Sequence, residues 1–266
     1  MNRYARQMIL PDIGAGGQAR LAHAHVLVVG AGGLGVPVLQ YLAGAGVGQI
    51  TLVDGDMVAE HNLHRQPLYR MDQLGQPKAQ AAADALAALN PDVQVTPCAE
   101  WLDPANAPAF VSAADVVLDC ADTFAASLTL SDTCRDTGTP LITASALALA
   151  GYVAGCCATA PSLRAIFPDL PERGATCATA GVMGPVVGAI GALQAQMALS
   201  VLLRLSPSPL GQLIRFDAAS WRMAGFRFDA APEPDTPLPF IARSQIRAND
   251  LLIDLRTEAA PFCGDA

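Results

Sequence analysis

The chain has 266 residues, 52% hydrophobic and 15% charged, enough for one large α/β core with additions. Its formal net charge of −8 argues against a nucleic-acid partner, because phosphate binding without sequence reading needs clustered Lys and Arg. "MNRYARQMILPDIGAGG" lacks an apolar run of signal-peptide length behind a basic start, which points to the cytoplasm, and 7 cysteines with no C-x-x-C pair read as reduced thiols there.

The first apolar run, "HVLVVG" at 25–30, reads as a buried strand, and a helix is predicted from about Val36, where Pro37 suits a first turn. "QITLVDGD" at 49–56 is a second strand leading into a polar loop around "EHNLHRQ". "KAQAAADALAALNP" has a helical period and stops at Asn90-Pro91, and "DVQVTPC" after it is strand-like. "ADVVLDCAD" is another buried strand ending in acids, "LSDTCRDTG" is helical and "TPLITAS" is again a strand. Dry strands separated by helices predict a Rossmann-like, doubly wound, mostly parallel sheet covered on both faces.

The second half changes character. "GYVAGCCAT" is strand-like, the Pro-broken "APSLRAIFPDLPERGAT" reads as loop, and "LIRFDAASWRMAGFRF" alternates like an antiparallel hairpin turning at "DAAS". Between Cys177 and Arg204 lies an uncharged stretch long enough to cross a membrane. Gln194, Gln196 and Ser200 within it, and the lack of a basic flank at its start, favour a buried helix, so no membrane partner is expected. Residues 1–229 are read as one catalytic unit, 230–240 as a Pro-rich acidic linker and 241–266 as a short tail.

Gly30, Gly32 and Gly35 satisfy G-x-G-x-x-G after a strand and before a helix, so backbone N–H groups can face a phosphate at the positive end of the helix dipole. Asp54 ends the next strand, where a carboxylate can take ribose hydroxyls. These features serve NAD and ATP equally. Asn62, Arg65 and Lys78 follow, and Asp122 ends a later strand that opens on the same crevice. Two cations and an acid suit a polyphosphate with its metal better than a neutral reducible ring, which favours ATP. Taken alone, Lys78 could equally be an ordinary exposed cation, and Asp56 could turn inward to Asp54 or merely shape the loop. His61 and His64 are read as solvent-exposed, not as metal ligands, and Trp101 and Trp221 as packing residues.

"RYARQMIL", "GAGGLG", "YLAGAGVGQITLVDGD", "NLHRQ", "GQPKAQAA", "LNPDVQV", "DVVLDCAD", "PLITAS", "TAGVMGPVVGAIGALQA" and "FDAASWR" occur in the order found in the ThiF/MoeB family, and the chain resembles that family over about residues 3 to 228, nearer to ThiF. The resemblance implies a ubiquitin-activating-enzyme-like fold with C-terminal antiparallel strands. It also implies an ATP-dependent adenylyltransferase that activates the terminal glycine of a ubiquitin-like sulfur carrier of the ThiS/MoaD type, for thiamine or molybdopterin biosynthesis, with a sulfur donor protein acting next.

By the same resemblance Gly33 and its neighbours line the phosphates and Asp54 holds the ribose. Asn62, Arg65 and Lys78 contact the triphosphate, Asp122 holds Mg²⁺, and Arg6 enters the neighbouring subunit's site in a homodimer. Cys177 matches a loop cysteine that some relatives join covalently to the carrier. The alternatives are an NAD(P)-dependent oxidoreductase and a non-catalytic carrier-binding scaffold.

Three departures stand out. Relatives hold a structural zinc on two C-x-x-C pairs, whereas Ser162 and Ala165 stand at the first pair and no cysteine lies between Cys177 and Cys263, so no zinc is expected. Cys156 and Cys157 are adjacent and poorly spaced to restore it. Thr123 replaces the common Asn after Asp122 and offers fewer hydrogen bonds. In the tail, "LLIDLRTEAA" resembles the opening of a rhodanese-like domain, too short to carry that domain's catalytic loop, and is read as a remnant.

Overall fold

The computed structural model describes residues 3–168, 181–235 and 238–253. β1 (His25–Val29), β2 (Gln49–Val53), β3 (Gln94–Cys98), β4 (Val116–Asp119), β5 (Leu141–Leu147), β6 (Ala150–Cys156), β7 (Gln212–Asp217) and β8 (Arg222–Arg227) form one sheet ordered β3-β2-β1-β4-β5-β6-β7-β8. Pairings from β3 to β5 are parallel and those from β5 to β8 antiparallel, so the expected doubly wound sheet with C-terminal antiparallel strands is present.

β4 is buried throughout and β1 in all but its first residue, as the unbroken apolar runs "VVL" and "VLVV" require when helices cover both faces. α3 (Gly35–Ala45), α4 (Lys78–Leu89) and α6 (Phe124–Thr137) provide that cover with α8 (Gly184–Leu203). The remaining helices are short: α1 (Ala5–Met8), α2 (Gly14–His23), α5 (Ala107–Ser112) and α7 (Leu163–Ile166). α1, α2 and α5 do not appear in the sequence reading, and α7 is one helical turn inside a stretch expected to be loop.

α8 is the uncharged segment. It is long and apolar enough to cross a membrane by composition, with a mean hydropathy of 1.8, but half of its apolar window is buried inside the chain. It packs against α3, β5 and β6. Gln194, fully buried on α8, donates from Nε2 to the carbonyls of Asp119 (2.7 Å) and Ile142 (2.9 Å) and accepts from Cys120 Sγ at 3.4 Å. One amide thus locks the helix to β4 and β5. Gln194→Leu keeps the volume but strands these groups, and should lower unfolding free energy by about 2 kcal/mol in urea titration.

Register places the site. Val29 lies beside both Val53 and Asp119, and Val53 beside Cys98, so the carboxyl ends of β1, β2, β3 and β4 finish at one edge. Whatever follows Val29, Val53, Cys98 and Asp119 in sequence is delivered to the same crevice.

Candidate active site

Gly30 opens the loop after β1 at φ +98°, and a Cβ there would stand 2.5 Å from the Cys120 carbonyl oxygen, so neither the backbone conformation nor the space admits a side chain. The loop then enters α3, whose first turn has no side-chain cap. Val36 N–H already donates to the Gly32 carbonyl at 2.9 Å and Pro37 has no N–H, so the donors open to an anion are the backbone N–H groups between Gly32 and Gly35. Two contacts hold the loop in shape: Ala31 N–H donates to Asp54 Oδ2 at 2.6 Å, and the buried Tyr69 hydroxyl donates to the Ala31 carbonyl at 2.8 Å.

Asp54 accepts a second backbone bond, from Asp56 N–H at 2.8 Å. Burial pushes its pKa up, against the lowering effect of these two N–H groups and of the Lys78 ammonium. Lys78 is no solvated cation. Its side chain is only 4% exposed, and Nζ lies 2.8 Å from Asp56 Oδ2. Asp56, half-exposed at the opposite end of the pair, gives its carboxylate to Lys78 while its N–H donates to Asp54, a role beyond the two weighed for it in the sequence.

Arg65 is held from three sides: Nη2 donates to Asn62 Oδ1 (2.9 Å), and Nη1 donates to His64 Nε2 (2.8 Å) and to the His61 carbonyl (3.2 Å). His64 thus serves as acceptor to a guanidinium. A Cβ on Gly33 would lie 3.6 Å from Arg65 Cγ, which puts this arginine directly over the glycine loop. Gln66, 3% exposed, packs with Nε2 against Gly32, and its Oε1 has no hydrogen-bond partner. An unpartnered buried oxygen costs about 1 to 3 kcal/mol unless something else meets it. Its place beside the loop marks the crevice as a polar one.

Asp122 is exposed just beyond β4. The carboxylate that β4 buries is Asp119, which accepts from Thr143 Oγ1 (2.7 Å) and Ala121 N–H (3.2 Å), and burial raises its pKa. Asp119 is held within the sheet's own network, whereas Asp122 stands exposed beyond the strand's end. Thr123, expected at the ligand, uses its hydroxyl as the N-cap of α6, accepting from Ala126 N–H at 3.3 Å.

Arg6, expected in a neighbouring subunit's site, lies away from its own chain's crevice. It sits exposed on α1, and its neighbour Gln7 bonds the Ala45 carbonyl at the carboxyl end of α3. That is the whole length of α3, about 16 Å, from the glycine loop. Cys177 lies outside the described residues. Trp101 differs from the packing role expected of it: it is 66% exposed and its ring lies on Gly55, between the two acids.

Residues 4–238 match the ThiF family. Among curated relatives, the SAMP-activating enzyme E1 of Haloferax volcanii is 39% identical over 243 residues, 90% of this chain and 88% of the relative. The sulfur carrier protein ThiS adenylyltransferase of Escherichia coli is 42% identical over 235 residues, covering 85% and 91%. An adenylyltransferase and sulfurtransferase MOCS3 from Drosophila grimshawi is 44% identical over 85% of this chain, but the match spans only 51% of that relative, about half its length. In fold, the chain resembles a crystal structure of Escherichia coli MccB, with a TM-score of 0.77 at 23% identity over 87% of this chain and 74% of that one.

Proposed function

The chain belongs to the ThiF family, and on that premise we propose that it is an ATP-dependent adenylyltransferase for the C-terminal glycine carboxylate of a ubiquitin-like sulfur carrier of the ThiS/MoaD type, acting in the cytoplasm in thiamine or molybdopterin biosynthesis. One observation carries the reading beyond membership: Lys78 and Arg65 converge with Asp54 on an uncapped glycine loop at the sheet's carboxyl edge. Two fixed cations there suit a triphosphate and its departing pyrophosphate better than a neutral nicotinamide ring.

The chemistry explains the residues. A carrier carboxylate oxygen attacks the α-phosphorus of ATP, and the bond from that phosphorus to the β-bridging oxygen breaks, releasing pyrophosphate. Two anions must approach each other, so Arg65 and Lys78 offset repulsion and take up charge that grows on the leaving group. Loop N–H groups between Gly32 and Gly35 hold phosphate oxygens, since those of Gly30 and Ala31 are taken by the Val53 carbonyl and Asp54, and Asp54 accepts from ribose hydroxyls with the lone pairs its two backbone bonds leave free. Asn62 holds Arg65 by its amide oxygen and keeps its own N–H groups for the triphosphate.

Asp122, exposed at the mouth, is the residue that would hold Mg²⁺, an ion that binds through one or two carboxylates plus phosphate oxygens and supplies further charge neutralisation. The acyl adenylate then accepts sulfur at its carbonyl from a donor protein, with AMP leaving; Cys177 is a candidate acyl acceptor on the way. Arg6, a helix length from its own chain's crevice, is assigned by the family resemblance to the site of a second copy in a homodimer.

A four-thiolate zinc does not fit the corner where relatives carry it. Ser162, 1% exposed, donates from its N–H to Glu233 Oε1 and from its hydroxyl to Glu233 Oε2, both at 2.6 Å. Arg135 pairs with the same carboxylate at 3.4 Å, while Arg164 forks onto Asp132 at 2.7 and 2.8 Å. We read this clasp as what fastens the chain beyond β8 to α6 and α7. Purified protein should hold far less than one zinc per chain, and a zinc chelator should leave Tm unchanged. Glu233→Ala should cost about 2 kcal/mol in unfolding titrations.

Carrier-dependent exchange of labelled pyrophosphate into ATP tests the function. Exchange with a carrier ending in glycine is the expected result. NAD binding without exchange would select an oxidoreductase, and carrier binding without exchange a scaffold.

A further inference from the structure

Trp101 is a large aromatic side chain left two-thirds exposed, yet its backbone is tightly fixed. Asn106 Nδ2 donates to the Trp101 carbonyl at 2.9 Å, and Asn106 Oδ1 accepts from Asp103 N–H at 2.8 Å. Asp103 Oδ1 in turn accepts from Ala105 and Asn106 N–H at 2.7 and 3.0 Å. This turn follows β3, whose last residue accepts from Asp54 N–H at 3.1 Å, so it is anchored to the carboxyl end of β2. The ring rests on Gly55: a Cβ there would stand 2.7 Å from both Cδ2 and Cε2. Any side chain at position 55 would push the ring away.

The order of groups along a nucleotide matches the order of residues along this edge. The triphosphate belongs at the glycine loop and the ribose at Asp54, and the base leaves the ribose on the side away from the phosphates. Gly55 and Trp101 come next. Aromatic rings pack on the faces of bases whatever the hydrogen-bonding pattern, so a fixed, exposed indole at that point is a surface for a flat heterocycle.

We propose that Trp101 stacks on the base of the bound nucleotide and sets nucleotide affinity, with Gly55 as the gap that seats the indole. The assignment rests on the adenylation reading for the identity of the nucleotide, and its test is separable from that reading. The chain has 2 tryptophans, so Trp221→Phe leaves Trp101 as sole reporter.

Titrating ATP into Trp221→Phe should quench Trp101 emission saturably. Trp101→Ala should raise the KM for ATP about tenfold while kcat falls much less, and Trp101→Phe should recover most of the affinity. Gly55→Val, which displaces the ring, should raise KM as well. Absence of quenching at saturating ATP, or an unchanged KM in Trp101→Ala, overturns the assignment while leaving adenylation intact. Saturable quenching in a protein that performs no exchange with any carrier would keep Trp101 as the base platform and remove the adenylyltransferase reading instead.

Discussion

Asp122→Ala is expected to reduce carrier-dependent pyrophosphate exchange by a hundredfold or more, to the level of the background reaction. The size follows from what else is available at the mouth of the crevice. Asp54 has both oxygens engaged by backbone N–H groups, Asp56 is held by Lys78, and Asp119 is buried behind the strand with Thr143. Of these four acids, Asp122 is the one that none of these contacts claims, and the other three are already engaged. Because the side chain is exposed, its removal leaves no buried gap, and Tm should stay within about a degree or two of the parent. Loss of exchange with unchanged Tm is therefore the diagnostic pair, and near-normal exchange would exclude a metal-holding role.

Gly30→Ala should cost about 3 kcal/mol or more of stability and remove detectable ATP binding. The residue sits at φ +98°, and its new Cβ would drive into the Cys120 carbonyl, so β1 and β4 must part or the loop must shift. A shifted loop breaks the Ala31 to Asp54 bond and misdirects the N–H groups between Gly32 and Gly35. Gly75→Ala is the control. Gly75 also has positive φ, at +81°, but a Cβ there meets nothing within 4 Å, so about 1 kcal/mol should be lost with ATP binding retained. Equal effects of the two substitutions on ATP affinity would show that backbone strain alone, and not the position of the loop, governs binding.

The central strands and long helices are legible in sequence because their runs are apolar for a simple reason: β1 and β4 are covered on both faces, and α8 packs against helix and sheet at once. α2 was not legible. Its sequence "GAGGQARLAH" has three glycines and little helical preference, and the helix is held by tertiary contacts, with Gly17 against Leu203 and Gln18 Nε2 on the Ala45 carbonyl. α1 is a single turn and too short to show a period.

Within the candidate site, the glycine loop, Asp54, Asn62 and Arg65 were readable because each stands at a strand end or in the loop after one, whereas Lys78 opens α4 and took its role from the family resemblance. Asp56 and Trp101 were not, since their roles depend on which strand lies beside which. Asp56 is 22 residues from its partner Lys78, and Trp101 meets Gly55 only because β3 pairs with β2. Gln66 shows the same limit: an uncharged amide in a polar loop carries no signal until its burial is known. Thr123 marks the opposite case, where a residue aligned with a ligand contact spends its hydroxyl on starting a helix.

The link between Ser162, Glu233 and Arg135 has a bearing on how this protein can be handled by a cell. A fastening made of a hydroxyl, a carboxylate and a guanidinium draws all its parts from the chain itself. Its weakness lies elsewhere, in ionic strength, since dissolved salt competes with such a linkage as it never competes with a coordinated ion.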